Sequence, residues 1–472
     1  MTRPITPQEI VERCLELSTT AGTSATGGSH GLTVLVDELS RANLRWANNT
    51  LTTNGTTQER QVTVIATVDG AHGTSAGVVG RSAVTADTLE QLVRAAEHAA
   101  RENGPAEDAQ PLVADSVSAD WPEEAGATSP AALSTLAPAL GEAFHRSERQ
   151  RRILYGFLDH EVHTTYLGNS AGLRLRHEQP TAHISITGKS RDLTRSAWVG
   201  QAERDTSEID VTALDAELDR RLAWASRRVE LPAGHYDTVL PPTAVADLMI
   251  YAYWTMSARN AHEGHSVYAR PGQGTRVGER LCEQPVTLWS DPAAGGLECA
   301  PAVLARASSA EQSVFDNGLP LGRTEWIRDG QLASLIQTRH SAGLTGLPTT
   351  PAVDNLRLDV DGAGSSLEEL VSGVERGLLL TCLSYIREVD PQTLLLTGLT
   401  RDGVYLVENG EVTAAVNNFR FNESPVALLN RFSHASTTVA AFSREWGDYF
   451  PRTAMPALRV PDFNMSSVSQ AS

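Results

Sequence analysis

Two kinds of glycine turn dominate the second half of this 472-residue chain. Asp329-Gly330 and Asn409-Gly410 each sit between β-type runs, and so does Asp316-Asn317-Gly318. Such dipeptides adopt the left-handed backbone of tight two-residue turns, so they join antiparallel strands. A chain punctuated in this way folds into hairpins, and the region beyond residue 231 is expected to be rich in sheet.

The first half reads differently. Thr6, Pro7 and Glu9 form a capping box with proline at the first helical position. Ile10, Val11, Cys14, Leu15 and Leu17 then make an apolar stripe. Leu32, Val34 and Val36, and later Val62, Val64, Ala66 and Val68, alternate with polar neighbours as half-buried strands do. A second helix is predicted from Asp87, with Glu90 as its capping partner and its end at Asn103-Gly104-Pro105. Residues 103 to 130 are rich in Pro, Ala, Asp, Glu and Ser and read as a linker. A helix over about 131 to 149 follows, then strands near Ile153–Leu158, Val162–Leu167 and His183–Thr187. Asn169-Ser170-Ala171-Gly172 is read as a turn, and a helix is expected over about 209 to 228. Ser366 and Glu369 cap a further helix that ends at Gly377. The expected fold class is α+β: an N-terminal α/β domain (1–104), a linker (105–130), a middle α/β segment (131–230) and a sheet-rich C-terminal domain (231–472).

Charge narrows the partners. The net charge is −18, with 39 basic against 57 acidic residues, which argues against nucleic acid, whose binders need Lys and Arg to displace phosphate counterions. Apolar runs such as Leu378-Leu379-Leu380 are far short of the roughly 20 residues that span a bilayer, so no membrane partner is expected. Met1 to Pro7 has no apolar signal core, and the cytosol is the expected compartment. The four cysteines, Cys14, Cys282, Cys299 and Cys382, include no close pair and read as buried reduced thiols.

His262-Glu263-Gly264-His265 is the motif closest to a metal site. Zincins place two histidines four apart on a helix, with a glutamate beside the first as general base. Here the spacing is three, and Gly264 with the later Pro271-Gly272-Gln273-Gly274 marks a helix passing into a loop. His160 and His163 would point to opposite faces of a strand. No G-x-S-x-G elbow, Walker loop or dinucleotide fingerprint is present.

Taken in order, several segments resemble the TldD/PmbA metalloprotease family. They include Gly168-Asn169-Ser170-Ala171-Gly172, and Ser266-Val267 followed by Val277-Gly278-Glu279. Phe315-Asp316-Asn317-Gly318-Leu319-Pro320 with Arg323-Thr324 is similar to a family hairpin. The stretch Leu367 to Leu378 and the run Val404 to Val412 complete the series. The resemblance implies one of two related subunits. The TldD type carries His-Glu-x-x-x-His on a helix upstream of the Ser-Val loop, with a cysteine near its C-terminus. The TldE (PmbA) type lacks these zinc ligands.

Counting back from Ser266 places the family's histidine, glutamate and histidine near Met249, Ile250 and Trp254, and no cysteine follows Cys382. The resemblance therefore implies a TldE-type subunit with no catalytic or metal residue and no cofactor of its own. Zinc is expected in a TldD-type paralogue, with which this chain would form a heterodimer that processes small or unfolded peptides. A homodimer of the isolated chain stays open. The alternatives are an autonomous metallopeptidase using His262, Glu263 and His265, or a non-proteolytic peptide-binding scaffold.

Overall fold

The computed structural model describes residues 5–21, 30–82, 84–114 and 116–469. Helix α1 (Pro7–Ala21) starts at the expected box: Glu9 N donates to Thr6 Oγ1 at 3.2 Å and Thr6 N to Glu9 Oε2 at 2.8 Å. Strands β1 (His30–Ala47) and β2 (Thr50–Gly70) follow, joined through Asn48 and Asn49 at φ 52° and 59°. Then come β3 (Gly73–Ser82) and α2 (Leu89–Glu102). A 3₁₀ turn at Ala86–Thr88 leads into α2, and the capping box there belongs to Thr85 and Thr88 rather than to Asp87 and Glu90.

Helix α3 (Ala137–Arg149), strands β4 (Arg152–Asn169), β5 (Arg174–Ser190) and β6 (Ser196–Glu203), and helix α4 (Val211–Trp224) complete the N-terminal half. The two short strands expected at 153–158 and 162–167 are one continuous strand, β4. The sheet order is β3-β2-β1-β4-β5-β6, with every neighbour antiparallel.

Strand β1 pairs with β4 from Thr33 opposite Asn169 to Trp46 opposite Gly156. The expected N-terminal domain and middle segment therefore share one six-stranded sheet and one architecture. Nor is 105–130 a free linker. Ser118 N donates to Arg174 O at 2.8 Å, Tyr166 Oη donates to Glu123 O at 2.7 Å, and Thr128 Oγ1 lies 2.6 Å from His160 Nδ1. The segment is a strap bound to the sheet, because its backbone finds hydrogen-bond partners there.

Alternation decides what each face of this sheet meets. Val34, Val36, Val64, Ala66 and Tyr166 pack against Ile10, Leu89, Leu92 and Val93 of the first two helices. Farther along the same face, Leu154, Leu158, Ile184 and Ile186 meet Leu140 and Leu218. On the opposite face Leu35, Ile65 and Leu167 pack against Val314 and Phe315 of the C-terminal half. That apolar contact docks the two halves.

The C-terminal half holds a ten-stranded and a six-stranded sheet. Helix α5 (Pro242–Trp254) shares one core with both. Leu248, Met249 and Ile250 are fully buried, as are Leu288 and Leu358 on one sheet and Leu378 and Phe421 on the other, to within 1% exposure. A helix apolar on nearly every side, with Asp247 as its one charged residue, is stable only when so enclosed.

Asp329-Gly330 (φ 46° and 76°) joins Thr324–Arg328 to Gln331–Leu332, and Asn409-Gly410 (φ 53° and 81°) joins Val404–Glu408 to Glu411–Val416. Asp316-Asn317-Gly318 makes no such hairpin. It follows a 3₁₀ turn, and buried Asn317 accepts from Ala305 N at 2.6 Å and donates to Ala305 O at 2.8 Å. The asparagine stitches a loop instead of turning a ladder. The helix capped by Ser366 and Glu369 ends at Ser372, and Gly377 lies in the strand Arg376–Leu380. A Cβ at Gly377 would meet Asp237 O at 2.2 Å, so this glycine serves close strand approach rather than helix termination.

Candidate functional site: a polar cleft between the halves

Past Leu35 and Leu167 the docking face of the N-terminal sheet turns polar. Glu161, His163 and Thr165 project from β4, and Thr181, Gln179 and His177 stand opposite them on β5. Period-two geometry puts all six on one face. The C-terminal half closes over them with residues 299–306 and 311–313, Asp354, and the segment Asp448 to Arg452. The enclosed space is about 300 Å³.

Most charges of the cleft are paired within it. Arg306 Nε donates to Asp37 Oδ2 at 2.7 Å, Thr165 Oγ1 donates to Asp37 Oδ1 at 2.7 Å, and His163 Nε2 lies 3.3 Å from Asp37 Oδ1. Burial disfavours the Asp37 carboxylate, but the hydrogen bonds of His163, Arg306 and Thr165 and the Arg306 charge outweigh it. They hold the group well below the usual range. Glu161 is bound by Arg41 at 2.6 Å, and Asp316 by Arg339 at 2.7 Å. His177 shares a 3.2 Å contact with Gln179, and burial lowers its pKa, so the ring is neutral at pH 7. Burial pushes the Cys299 thiol up to about 12, which keeps it protonated and poorly nucleophilic.

Arg452 and Asp354 remain. Arg452 donates to Thr181 Oγ1 on β5. Enclosure lowers its pKa, partly offset by Asp354. Asp354 reaches the cleft solvent although protein surrounds it, and that enclosure raises its pKa against the opposing charges of Arg452 and Arg306.

The sequence motif His262-Glu263-Gly264-His265 lies elsewhere. His262 ends the short helix Ala258–His262, Glu263 caps it, and Gly264 takes φ 85°. Glu263 is engaged by Arg259 at 3.0 Å, and both histidines are exposed. Among the described residues no group of three or more His, Cys, Asp or Glu side chains is placed to hold a metal. On α5, Met249 and Ile250 are core residues, while Trp254 packs edge-on to Trp446 at 5.2 Å and to Phe450 at 6.2 Å. This donor set does not fit zinc: a packed thioether, an alkyl chain and an indole supply no adequate ligand.

His160 and His163 do take opposite faces of β4, the first under the strap and the second in the cleft. Sequence reasoning passed over Glu161, Thr165, His177, Gln179 and Thr181. The signal was present as polar residues at every second position, Glu161-Val162-His163-Thr164-Thr165 and His177-Glu178-Gln179-Pro180-Thr181. Asp354 and Arg452 had no local signal.

An α+β chain whose largely apolar helix is enclosed by two sheets, docked on an antiparallel sheet beside a polar cleft, has structural counterparts. Residues 233–467 match the PmbA/TldA metallopeptidase C-terminal domain. The chain belongs to the TldD/PmbA metallopeptidase family. TldE from Thermococcus kodakarensis is similar in fold, with TM-score 0.73 and 18% identity over 92% of this chain and 96% of that one. A proposed modulator of DNA gyrase from Thermotoga maritima gives TM-score 0.75 and 16% identity, covering 97% of this chain and 100% of its own. Another, from Bacteroides thetaiotaomicron, gives 0.73 and 14%, covering 98% and 100%. No curated protein matches the sequence. No helix among the described residues is long and apolar enough to cross a membrane.

Proposed function

We propose that this chain is the non-catalytic subunit of a TldD/TldE-type heterodimeric zinc metalloprotease, acting in the cytosol on small or unfolded peptides. The observation that carries the reading is the occupancy of α5. Met249, Ile250 and Trp254 stand where alignment to the Ser266-Val267 loop puts the family's His-Glu-x-x-x-His, and they are packed hydrophobes. A TldD-type paralogue would supply the zinc, its bound water and the general base. This chain would shape the surface along which peptide is held.

The test is zinc content and peptidase activity of the chain alone and co-expressed with its closest zinc-bearing paralogue. Zinc and cleavage are expected only in the complex, with the metal on the paralogue. One zinc per chain and cleavage by this chain alone, both lost on His265→Ala, would overturn the reading.

A further inference from the structure

With Arg41–Glu161, Arg306–Asp37 and Arg339–Asp316 paired, Arg452 is the arginine of the cleft lining that has no carboxylate partner among the described residues. Among the described residues Asp354 has no ion-pair partner, whereas Asp448, also in the lining, lies 3.8 Å from His183 and Glu311 accepts from Ser309 Oγ at 2.9 Å. Arg452 and Asp354 stand side by side for a topological reason. The strands Leu356–Val360 and Thr453–Met455 pair in parallel with Leu356 opposite Thr453, and Leu356 N donates to Arg452 O at 3.1 Å. The residues leading into the two strands thus emerge together at the cleft wall.

Opposite charges so placed in an enclosed space would ordinarily close on each other, because Coulomb attraction grows as water is excluded. Here they do not. Arg452 reaches across to Thr181 on the N-terminal sheet, and no ion pair between Arg452 and a carboxylate occurs among the described residues. Enclosure acts on both charges, raising Asp354 and lowering Arg452, as expected where each lacks a full counter-charge. His177 and Gln179, in contact with each other, line the opposite wall. A space of about 300 Å³ lies at the lower end of ligand pockets and suits a ligand the size of a di- or tripeptide.

We propose that this cleft binds short peptides with free termini, Arg452 receiving the C-terminal carboxylate and Asp354 the α-ammonium. The choice of peptide as the ligand class rests on the protease-subunit reading; the paired charges rest on the geometry alone. Planar guanidinium matches carboxylate bidentately, so Arg452 distinguishes a free acid from an amide.

The experiment is calorimetric titration of this chain, without any partner, using an unblocked dipeptide such as leucyl-alanine, its N-acetyl derivative and its C-terminal amide. Amidation is expected to weaken binding to the wild type about tenfold or more. It should have no effect on Arg452→Gln, whose affinity for the free acid already matches that for the amide. Acetylation should likewise weaken the wild type and leave Asp354→Asn unaffected. Arg452→Lys, which keeps the charge, should retain part of the preference if Arg452→Gln proves unstable. No heat at about 10 mM dipeptide, or equal affinity of the wild type for free and blocked forms, would overturn the proposal. Because neither zinc nor cleavage enters this measurement, its failure leaves the subunit reading standing. An inactive complex, conversely, would leave a positive titration intact.

Discussion

Arg306, in the C-terminal half, donates from Nε to Asp37 of β1 at 2.7 Å, joining positions 269 apart in sequence. The pair closes one wall of the cleft and ties the two halves beside the apolar contact of Leu35 with Phe315. Asp37 is 7% exposed, so its charge is tolerated only because Arg306, Thr165 and His163 surround it.

Asp37→Asn should therefore lower stability by ~1–2 kcal/mol at pH 7, less than for a fully buried pair because the Arg306 side chain is partly exposed. The folded-state pKa of Asp37 is depressed, so its stabilisation is complete above the unfolded carboxylate value and lost as pH falls below it. The gap between wild type and variant in urea denaturation should shrink below about pH 4. A constant gap down to pH 3 would contradict the assignment.

Asp247 behaves in the opposite sense. It is fully buried on α5, Oδ1 accepts from Ser443 Oγ at 2.5 Å and Glu445 N at 2.9 Å, and Oδ2 has no partner. Burial raises its pKa to about 7, with the two hydrogen bonds opposing. The folded state then binds more protons than the unfolded state between about pH 4 and 7, and stability declines across that range. Asp247→Asn should flatten the decline. Its own unpartnered amide costs ~1 kcal/mol, which the wild type loses within about one pH unit of the decline, so the variant is expected to gain on the wild type above about pH 5.

Gly318 sits at φ 89°, and a Cβ there would meet Leu173 Cδ2 at 2.2 Å. Gly318→Ala should destabilise by ~1–3 kcal/mol through backbone strain and overpacking. Because Asn317 next to it fixes Ala305 in the cleft wall, dipeptide binding should weaken as well. A melting temperature unchanged from wild type would show that the loop relaxes freely.

All four cysteines are buried and unpaired. Burial raises Cys14 and Cys299 to about 12 and Cys282 to about 11, and it raises Cys382 as well. Ellman's reagent at pH 8 should titrate no thiol in the native chain and four in guanidinium. A fast-reacting native thiol would mark a local opening.

Local signals in the sequence settled local structure. The Thr6–Glu9 and Ser366–Glu369 capping boxes and the two-residue turns at Asp329-Gly330 and Asn409-Gly410 form as read, because each closes within a few residues. The α+β class followed from their distribution, and the apolar face of α1 announced what would be buried. Three readings failed where distant partners compete. Asn317 left a hairpin to hold Ala305, Gly377 entered a strand against Asp237, and residues 105–130 found the sheet as partner for their backbone.

The amino-acid sequence by itself determined which residues turn, which cap and which faces seek the core, since sterics and hydrophobic period act over a single turn or strand. Only the tertiary structure decided the cleft. Arg452 and Asp354 meet because two strands about a hundred positions apart pair in parallel, and both face Thr181 and His177 because an unrelated apolar contact docks the halves. No local interaction encodes such a meeting; it is fixed by strand register and by the burial of Leu35, Leu167 and Phe315.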